Sequence, residues 1–313
     1  MKEKMTLSKL SLKKGSFIVG KWNGHKYKVE KLLGEGANGT VYLVSYDWQW
    51  YALKIGLDTV DIQSEINALK MLATQQSRQE ENYLKDIDDF MLSNGKTYAF
   101  YTMRYVKGMH ITEYIQKYGS EWFSLLGLNL LKHLATLHQK GWIFGDLKVE
   151  NVMVTDYGHI ELIDFGGATQ VGKGVKQFTE LYDRGYWNSG SRSADPKYDL
   201  FSFAVLCVQL FAPRKLQQLT KDALPHHRTT DELLAIAKQI PELTHYLSWL
   251  IKAWEGQFVD GQEAAEAWRA IAHKRKATIK KSKTPVWLKV LVVASCVSLA
   301  VAGYFFVKDF TLF

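Results

Sequence analysis

The chain has 313 residues, 47% of them hydrophobic and 13% aromatic, and a formal net charge of +8. A chain of this size and apolar content can bury a large core. It contains only two cysteines, Cys207 and Cys296, and both lie in apolar or amphipathic stretches. A disulfide framework and a cysteine-based zinc module are therefore excluded, and a cytosolic location is favoured for the main body of the chain.

The N-terminal part of the chain predicts a small antiparallel sheet. We expect three strands between Phe17 and Lys54, with hairpin turns at Asn23-Gly24 and near Asp47. Within this region, Leu32 to Val44 predicts a strand, a glycine-rich turn and a second strand. Residues 1–15 precede the sheet as an N-terminal extension.

Three glycines in that turn, Gly34, Gly36 and Gly39, are suited to binding a polyphosphate. Without Cβ atoms the backbone can approach phosphate oxygens closely, and its N–H groups can point at them. The residues that follow, Thr40 to Val44, are β-branched and aromatic, so a strand rather than a helix comes next. That order disfavours a dinucleotide-binding fold, in which a helix follows the glycines.

A single lysine, Lys54, lies inside the next apolar strand. A buried ammonium group is costly unless an anionic partner neutralises it. Thr59 to Ala73 has apolar residues at helical spacing, and Glu65 lies on this predicted helix. We expect Glu65 to pair with Lys54 and so to position the lysine on nucleotide phosphates.

The middle of the chain predicts two more strands and then a helical region. A polar connector, 75–86, leads to two strands between Phe90 and Tyr105, joined at Asn94-Gly95. Later helices are expected at Trp122 to His138, at Phe201 to Phe211 and within 231–273. We expect His138 to be a buried histidine at a helix end and not a metal ligand.

The segment from Phe144 to Asn151 carries the residues needed for phosphoryl transfer. Asp146 can orient an attacking hydroxyl and accept its proton, Lys148 can neutralise charge on the moving group, and Asn151 can hold a metal ion. Thirteen residues after Asn151, an apolar strand ends at Asp164-Phe165-Gly166, where Asp164 can hold Mg²⁺ against nucleotide phosphates.

In this order, these motifs resemble the eukaryotic-like (Hanks-type) protein kinases over roughly residues 16–270. The resemblance implies an α+β, two-lobed protein-kinase fold over 16–272, with a β-rich N-lobe at about 16–103 and a helical C-lobe at about 108–272. It implies ATP and Mg²⁺ as cofactors, with Asp146 and Lys148 catalytic, Asn151 and Asp164 on the metal, and Asp199 bracing the catalytic loop. The ATP-binding residues implied are Gly34, Gly36, Gly39, Val41, Ala52, Lys54, Glu65, Met103, Tyr105, Asn151 and Asp164.

A closer likeness exists to the membrane-anchored YabT-type kinases of spore-forming Bacilli. It rests on Trp22-Asn23-Gly24, on Gly141 to Lys148, on Tyr182 to Trp187 and on an apolar C-terminal stretch. This likeness implies a serine/threonine kinase connected with sporulation, and it supports DNA as a ligand.

The chain departs from the Hanks-type pattern at two places. Phe144-Gly145 replaces the usual His-Arg before Asp146, so the arginine that binds an activation-loop phosphate is missing. We therefore expect that Thr169, Thr179 and Tyr182 do not switch the enzyme by that route, and that alanine at either threonine leaves basal activity unchanged. The closing Ala-Pro-Glu is also absent, so the substrate-side loop must be anchored differently.

The C-terminal region carries all of the excess positive charge. Residues 267–308 contain nine Lys or Arg and no Asp or Glu, whereas residues 1–266 are formally neutral. Val290 to Val307 is eighteen residues without a charge, which is long enough as a helix to cross a bilayer core. The positive-inside rule then puts the kinase domain in the cytoplasm of a single-pass cell-membrane protein, and residues 308–313 outside.

A basic juxtamembrane linker is expected at 273–289, too polar to pack a core. Three interpretations stay open: a topology signal with attraction to anionic lipid, non-specific binding of DNA, and docking of a protein. The residues concerned are Lys274, Arg275, Lys276, Lys280, Lys281 and Lys283.

The function expected is a membrane-anchored serine/threonine protein kinase, with protein substrates and self-association for trans-autophosphorylation as possible partners. One alternative is a kinase of small molecules or glycans, which the missing Ala-Pro-Glu keeps open. Another is a weakly catalytic nucleotide-binding scaffold recruited to membrane or DNA, whose expected signature is loss of Lys54, Asp146 or Asp164. None of the three is lost.

Overall fold

The structure is a computed structural model that describes residues 12–36, 39–73, 83–92, 95–176, 179–222 and 228–278, and 290–302 except 292 and 296. The chain divides into two compact units, Met1–Ile271 and Ala272–Phe313. The first unit has a β-rich N-terminal lobe and a helical C-terminal lobe, which confirms the expected two-lobed α+β architecture.

Six antiparallel strands form the N-terminal lobe, in the sheet order β1-β2-β3-β4-β6-β5. Their bounds are β1 Phe17–Val19, β2 Lys26–Gly36, β3 Gly39–Tyr46, β4 Gln49–Gly56, β5 Leu84–Met91 and β6 Thr97–Arg104. One face buries a compact cluster that includes Ile18, Tyr27, Leu53 and Phe100. Helix α1, Thr59–Ala73, has the predicted bounds and places Glu65 beside β4.

Two predictions for this lobe were wrong. The region from Phe17 to Lys54 has four strands rather than three, because the short β1 pairs with β2 and buries Ile18 opposite Tyr27. Strand β5 begins at Leu84, inside the predicted polar connector. Its acidic residues hide the strand pattern, since Asp86 and Asp88 accept hydrogen bonds from the β1–β2 turn and are not solvated loop residues.

The C-terminal lobe consists of helices with a few short strands. The helices are α2 Ile111–Tyr118, α3 Phe123–Gln139, α4 Pro196–Phe211, α5 Pro213–Asp222, α6 Thr230–Ala237, α7 Leu247–Trp254 and α8 Gly261–Thr278. The strands are β7 Met109–His110, β8 Trp142–Ile143, β9 Val152–Val154, β10 Ile160–Leu162 and β11 Thr169–Gln170. They pair as β10-β9-β7 and β11-β8, and so hold the segments around Asp146 and Asp164.

Aromatic rings fill the core of this lobe. Trp268 of α8 stacks on Tyr246 at 4.0 Å between ring centroids and meets Phe123 and Phe203 edge to face. A Cβ at Gly127 would lie 2.5 Å from the Trp268 ring, so helix α3 can approach α8 only through a glycine here. These contacts fix the first half of α8 to the rest of the lobe.

The C-terminal segment differs from expectation at its start. We expected the basic linker to begin at residue 273, but α8 continues through Thr278. Lys274, Arg275 and Lys276 therefore lie on a helix, where basic residues near the C-terminal end interact favourably with the helix dipole. Lys280, Lys281 and Lys283 fall outside the described residues.

The predicted membrane span, 290–307, is described only in part. Residues 290–302 are helical, apart from 292 and 296, which the description leaves out together with 303–307. Within the described residues, no helix is both long and apolar enough to cross a membrane.

Candidate active site

The three predicted glycines lie where two paired strands meet, Gly34 and Gly36 at the end of β2 and Gly39 at the start of β3, while the connecting residues 37 and 38 lie outside the described residues. A Cβ at Gly34 or Gly36 would meet nothing within 4 Å, so the protein leaves space above both residues. Gly39 has φ +154°, and a Cβ there would lie 2.2 Å from the carbonyl oxygen of Ile55. Only glycine therefore permits the tight pairing of β3 with β4 that positions the turn.

Lys54 is buried and bonded to two carboxylates. Its Nζ lies 2.8 Å from Glu65 Oε2 and 2.6 Å from Asp164 Oδ1. Burial alone would lower the pKa of Lys54, but the two carboxylates outweigh it and raise the pKa above its ordinary value. The lysine thus stays charged, and it joins α1 to the start of the segment that follows β10.

Asp164 faces the cleft, with 44% of its side chain exposed. Its backbone is left-handed, with φ 62° and ψ 81°, and its carboxylate accepts a hydrogen bond from the Gly166 N–H. Burial would raise the pKa of Asp164, but the Lys54 ammonium outweighs it and holds the pKa below its ordinary value. The group is therefore ionised and can act as an oxygen ligand for a divalent cation.

Asp146 is held by three neighbours in the loop after β8. Lys148 Nζ lies 2.6 Å from its Oδ2, and the Asn151 amide donates to its backbone oxygen at 2.9 Å. Thr179, from the segment after β11, donates to its Oδ1 at 2.9 Å. The structure thus brings Asp146, Lys148 and Asn151 together as the sequence predicted, and it adds Thr179.

The contact with Thr179 leads to a different prediction for one variant. The sequence predicted that alanine at Thr179 leaves basal activity unchanged, because no phosphate-binding arginine is present. The hydroxyl is instead occupied on Asp146, so its removal would free one oxygen of that carboxylate. Thr169 is fully buried and donates to the Gly167 carbonyl, so it supports the same loop from behind.

Asp199 braces the Asp146 loop from helix α4. Its carboxylate accepts the backbone N–H groups of Phe144 at 2.7 Å and Gly145 at 2.9 Å. His138 Nε2 lies 3.0 Å from the same carboxylate. His138 is thus a buried structural histidine, as predicted, but sequence reasoning missed its partner because α3 and α4 are 61 residues apart at this contact.

The position before Asp146 has no space for a side chain. Gly145 has φ +77°, and a Cβ there would lie 2.2 Å from the Gly167 carbonyl oxygen. A Cβ at Gly167 would in turn lie 2.7 Å from Asp146 Cβ. The two glycines let the Asp164 segment pack directly on the Asp146 loop, so the missing arginine could not fit in this conformation.

Sequence reasoning also missed an aromatic row behind the site. Phe165 meets Tyr83 at 5.6 Å and Phe144 at 5.3 Å between ring centroids, both edge to face. The Tyr83 hydroxyl donates to the Leu162 carbonyl at 3.1 Å. No sequence signal pointed to Tyr83, since it stands at the end of the predicted polar connector.

The segment between β11 and α4, here called the substrate-side segment, is anchored by two buried arginines. Arg184 makes a bidentate pair with Asp195, at 2.9 and 2.7 Å. Arg228 binds Glu180 at 2.6 Å and the Thr220 carbonyl at 2.7 Å. These contacts supply the different anchor that the absent Ala-Pro-Glu led us to expect.

The three glycines, Lys54, Asp146, Lys148, Asn151, Asp164 and Thr179 line one cleft of about 940 Å³ between the lobes. Val41, Ala52 and Met103 give it an apolar wall, and Tyr105 lies on the connection between the lobes. A flat base can occupy that end, and its phosphates would then lie under the glycine turn beside Lys54. The oxygen atoms of Asp164 and Asn151 face the same space and suit Mg²⁺, which would neutralise phosphate charge when bound.

The chain is similar to known kinases. Residues 27–275 match the family described as protein kinase domain. The chain is 37% identical over 290 residues to the serine/threonine-protein kinase YabT of Bacillus subtilis, covering 91% of this chain and 84% of that protein. It is 22% identical over 195 residues to the serine/threonine-protein kinase CLA4 of Candida albicans, of which it spans 20%.

Solved structures show the same fold. A crystal structure of a kinase domain superimposes with a TM-score of 0.56 at 18% sequence identity, covering 82% of this chain and 96% of that one. At that identity the likeness concerns the fold alone.

Proposed function

The chain belongs to the protein kinase family, and we propose that it is a serine/threonine protein kinase held at a membrane by its C-terminal segment and stimulated by DNA. The catalytic activity is that of a protein-serine/threonine kinase, which uses ATP and Mg²⁺ and acts on protein substrates.

The observation that carries the catalytic assignment is the complete set of contacts around Asp146 and Lys54. Asp146 accepts the proton of the acceptor hydroxyl, and that oxygen takes the γ-phosphoryl group while ADP leaves. Lys148 lies 2.6 Å from Asp146 and offsets charge on the transferred group. Lys54, fixed by Glu65, would orient the α- and β-phosphates, and Asp164 with Asn151 would hold a Mg²⁺ ion that neutralises phosphate charge.

The membrane proposal is supported by the uncharged run of residues 290–307 and by the basic residues before it. We expect the full chain to stay with membranes after alkaline carbonate extraction, with the catalytic domain on the cytoplasmic side. A Val297→Arg, Leu299→Arg double variant should be released, because a charge at the centre of a span is costly, whereas Val297→Leu should not. If alkaline carbonate released the unmodified chain from membranes, the C-terminal segment would not be a membrane anchor.

The DNA proposal is supported by the density of basic residues in the sequence between the catalytic domain and that run. Seven Lys or Arg lie within 274–289, and no Asp or Glu accompanies them. Such a segment binds phosphate backbones without sequence preference. Several copies on one DNA strand would meet at high effective concentration, which favours trans-autophosphorylation without an activation-loop phosphate.

DNA stimulation can be tested with labelled ATP and a generic protein substrate, with and without DNA at low salt. We expect DNA to raise turnover of the full chain. Replacing Lys280, Lys281 and Lys283 by glutamine should weaken that response and leave turnover without DNA unchanged. Anionic vesicles that stimulate where DNA does not would assign the segment to lipid.

A further inference from the structure

The hairpin turn between β3 and β4 contains a tryptophan that neither the turn nor the core favours. Asp47 and Trp48 form a two-residue turn with φ 49° and 62°, as in a type I′ turn, which Asn-Gly and Asp-Gly adopt most readily. A bulky side chain at positive φ is strained. The Trp48 side chain is also 101% exposed, so it gains nothing from burial. Folding alone therefore does not account for this residue.

Trp50, the second tryptophan of this hairpin, lies in a row of side chains that crosses four strands. Its direct partner is Ser45 of β3, Ser45 pairs with Lys28 of β2, and Lys28 pairs with Phe17 of β1. Direct partners in antiparallel strands project from the same face of a sheet. Phe17 and Trp50 are 60% and 53% exposed, so this row lies at the surface.

The next row continues the same surface. Val19 of β1 pairs with Lys26 of β2, and both side chains are exposed, whereas the intervening Ile18 and Tyr27 point the other way into the core. We call this surface the hairpin face, and its members are Phe17, Val19, Lys26, Lys28, Trp48 and Trp50.

The strands that carry the hairpin face are basic. Residues 12–31 contain six lysines and a single carboxylate, Glu30, and all six lysines are exposed. Glu30 lies 3.8 Å from Lys28 and accepts a hydrogen bond from Ser45, so its charge is offset within the face. Asp47 is exposed in the turn, and the three aspartates of β5 accept hydrogen bonds from the β1–β2 turn. The face thus keeps a positive excess beside its aromatic rings.

This combination of side chains suits the interface of an anionic bilayer. Indole rings favour the headgroup region, and lysines are attracted to the negative lipid surface. Among the described tryptophans, the exposed ones are Trp22, Trp48 and Trp50, and all three belong to the N-terminal lobe. Trp48 stands at the tip of a hairpin, which can enter a lipid surface, whereas a nucleic-acid strand is bound along a groove.

We propose that the hairpin face binds the surface of an anionic membrane, with Trp48 and Trp50 in the headgroup region. The proposal rests on the proposed membrane location, because a kinase anchored by its C-terminal segment meets lipid at high effective concentration. A second contact of this kind holds the kinase domain in one orientation on the bilayer. That orientation limits which protein substrates reach the cleft.

The test uses the full chain with Val297→Arg and Leu299→Arg, which removes the proposed anchor and leaves the hairpin face intact. Its partitioning into vesicles of equal parts phosphatidylglycerol and phosphatidylcholine is measured by sedimentation. Adding Trp48→Gly should lower the partition coefficient about tenfold, because one large apolar side chain is withdrawn from the interface. Tyr157→Gly is the matched control, since Tyr157 is 88% exposed with φ 57° in the other lobe, and it should change nothing.

Trp48→Gly also separates lipid binding from folding. The variant converts the turn to Asp-Gly, which type I′ turns favour, so Tm should stay the same or rise while lipid affinity falls. Turnover of a soluble peptide without lipid should be unchanged, because Trp48 is not among the residues that line the cleft.

The lysines contribute through charge. Lys26→Gln with Lys28→Gln should lower partitioning into the anionic vesicles severalfold and alter partitioning into pure phosphatidylcholine little. Lys132→Gln with Lys238→Gln removes the same charge from exposed positions of the other lobe and should have no such effect.

An unchanged partition coefficient in Trp48→Gly would overturn the proposal. If that variant instead lost DNA binding or formed fewer dimers while its lipid binding was unchanged, the face would belong to DNA or to a second copy. If the unmodified chain is released by alkaline carbonate, it replaces the double-arginine chain in the same assay. A failed anchor and a failed hairpin face are thus told apart.

Discussion

At the scale of single residues, the carboxylate of Asp146 is oriented from both sides. Lys148 binds one oxygen and Thr179 the other, while Asn151 fixes the backbone of the same residue. A carboxylate held in this way loses little conformational entropy when an acceptor hydroxyl binds. Asp146 is therefore placed to take a proton in a fixed direction.

Replacing Asp146 by asparagine should lower kcat by about 100-fold or more, the usual cost of losing a general base. ATP affinity should change little, because the contacts of Lys54 and the glycine turn remain. Turnover with labelled ATP and nucleotide binding measured on the same preparation would separate the two effects. Asp156→Asn serves as a control, since Asp156 is an exposed carboxylate of the same lobe. More than about a tenth of wild-type turnover in the Asp146 variant would contradict the assignment.

Thr179→Ala should lower kcat about 10- to 150-fold, because a hydrogen bond to a charged group is worth about 1.5–3 kcal/mol and about 1.4 kcal/mol is a factor of ten. Thr179→Ser keeps the hydroxyl that binds Asp146, so it should retain most of the wild-type activity if Thr179 acts by positioning that carboxylate. The measurement is kcat of the alanine and serine variants in steady-state kinetics, compared with wild type. Normal turnover in the alanine variant would return Thr179 to the neutral role expected from the sequence.

The residues that could be predicted from sequence are those tied to a motif. Lys54, Glu65, Asp146 and Asp164 were identified because each belongs to a recurring spacing. The structure brings Lys54, Asp146 and Asp164 to one cleft, with Glu65 paired to Lys54 behind it. The contacts of Thr179 with Asp146 and of His138 with Asp199 could not be predicted in this way, since the partners lie 33 and 61 residues apart and meet only once the lobe has folded.

At the scale of elements, the substrate-side segment is held by pairing with a buried arginine. Arg228 is almost fully buried, and Glu180 is half exposed at the surface end of the contact. The arginine also stacks over the Trp187 ring at 5.9 Å. The segment is thus anchored without any phosphorylated residue.

Glu180→Gln should destabilise this segment, because it leaves a buried guanidinium without its counter-charge. We expect KM for a protein substrate to rise severalfold while KM for ATP is unchanged, since the nucleotide contacts are elsewhere. Initial rates against each substrate measure both constants. Glu121→Gln is the control, and equal KM values in Glu180→Gln and wild type would show that the anchor does not shape the substrate site.

Strand β5 is attached to the β1–β2 turn through Asp86. Its Oδ2 accepts hydrogen bonds from Asn23 at 2.5 Å and Tyr27 at 2.7 Å, and His25 Nδ1 lies 3.0 Å away. Burial would raise the pKa of Asp86, but these hydrogen bonds outweigh it and hold the pKa below its ordinary value of 3.8. The contribution of Asp86 to stability is therefore present above that value and is lost as the pH falls through the lower folded-state pKa.

Asp86→Asn should lower the free energy of unfolding at pH 7 by about 1–3 kcal/mol, the range for hydrogen bonds to a charged group. The difference from wild type should stay constant down to about pH 5 and narrow below the ordinary pKa, as the wild type loses the same contribution. Denaturant unfolding of both proteins at several pH values measures this difference in the free energy of unfolding. Asp47→Asn, at an exposed turn, should be nearly neutral. A difference that does not narrow in acid would show that the charge of Asp86 is not what stabilises the turn.

Helices and strands could be predicted from the sequence where apolar residues recur with the period of the element. Helix α1 was predicted with its observed bounds because its apolar residues recur at helical spacing. Strand β5 was not predicted, because Asp86 and Asp88 look like solvated residues in the sequence. In the structure they accept hydrogen bonds from a turn more than 60 residues earlier.

At the scale of the whole molecule, charge is separated along the chain. Residues 1–266 are formally neutral and residues 267–308 carry the positive excess. The structure changes the expected form of that region, since Lys274, Arg275 and Lys276 continue helix α8 and only later basic residues remain as candidates for a linker. A helix end that carries three basic residues can still contact phosphates.

The salt dependence of DNA binding distinguishes this polyanion site from a specific one. Five or six phosphate contacts by the basic residues of 274–283 imply a log–log slope of affinity against salt near −5, from about −0.9 per contact. Affinity should not depend on DNA sequence, because phosphate contacts carry no base information. Glutamine at Lys280, Lys281 and Lys283 should make the slope shallower by about 2.7, which is three contacts at about 0.9 each. Glutamine at the exposed Lys132, Lys221 and Lys238 removes the same charge from the catalytic domain and should leave the slope unchanged. If both triple variants shifted the slope equally, DNA would be responding to net charge, and the tail would have no site of its own.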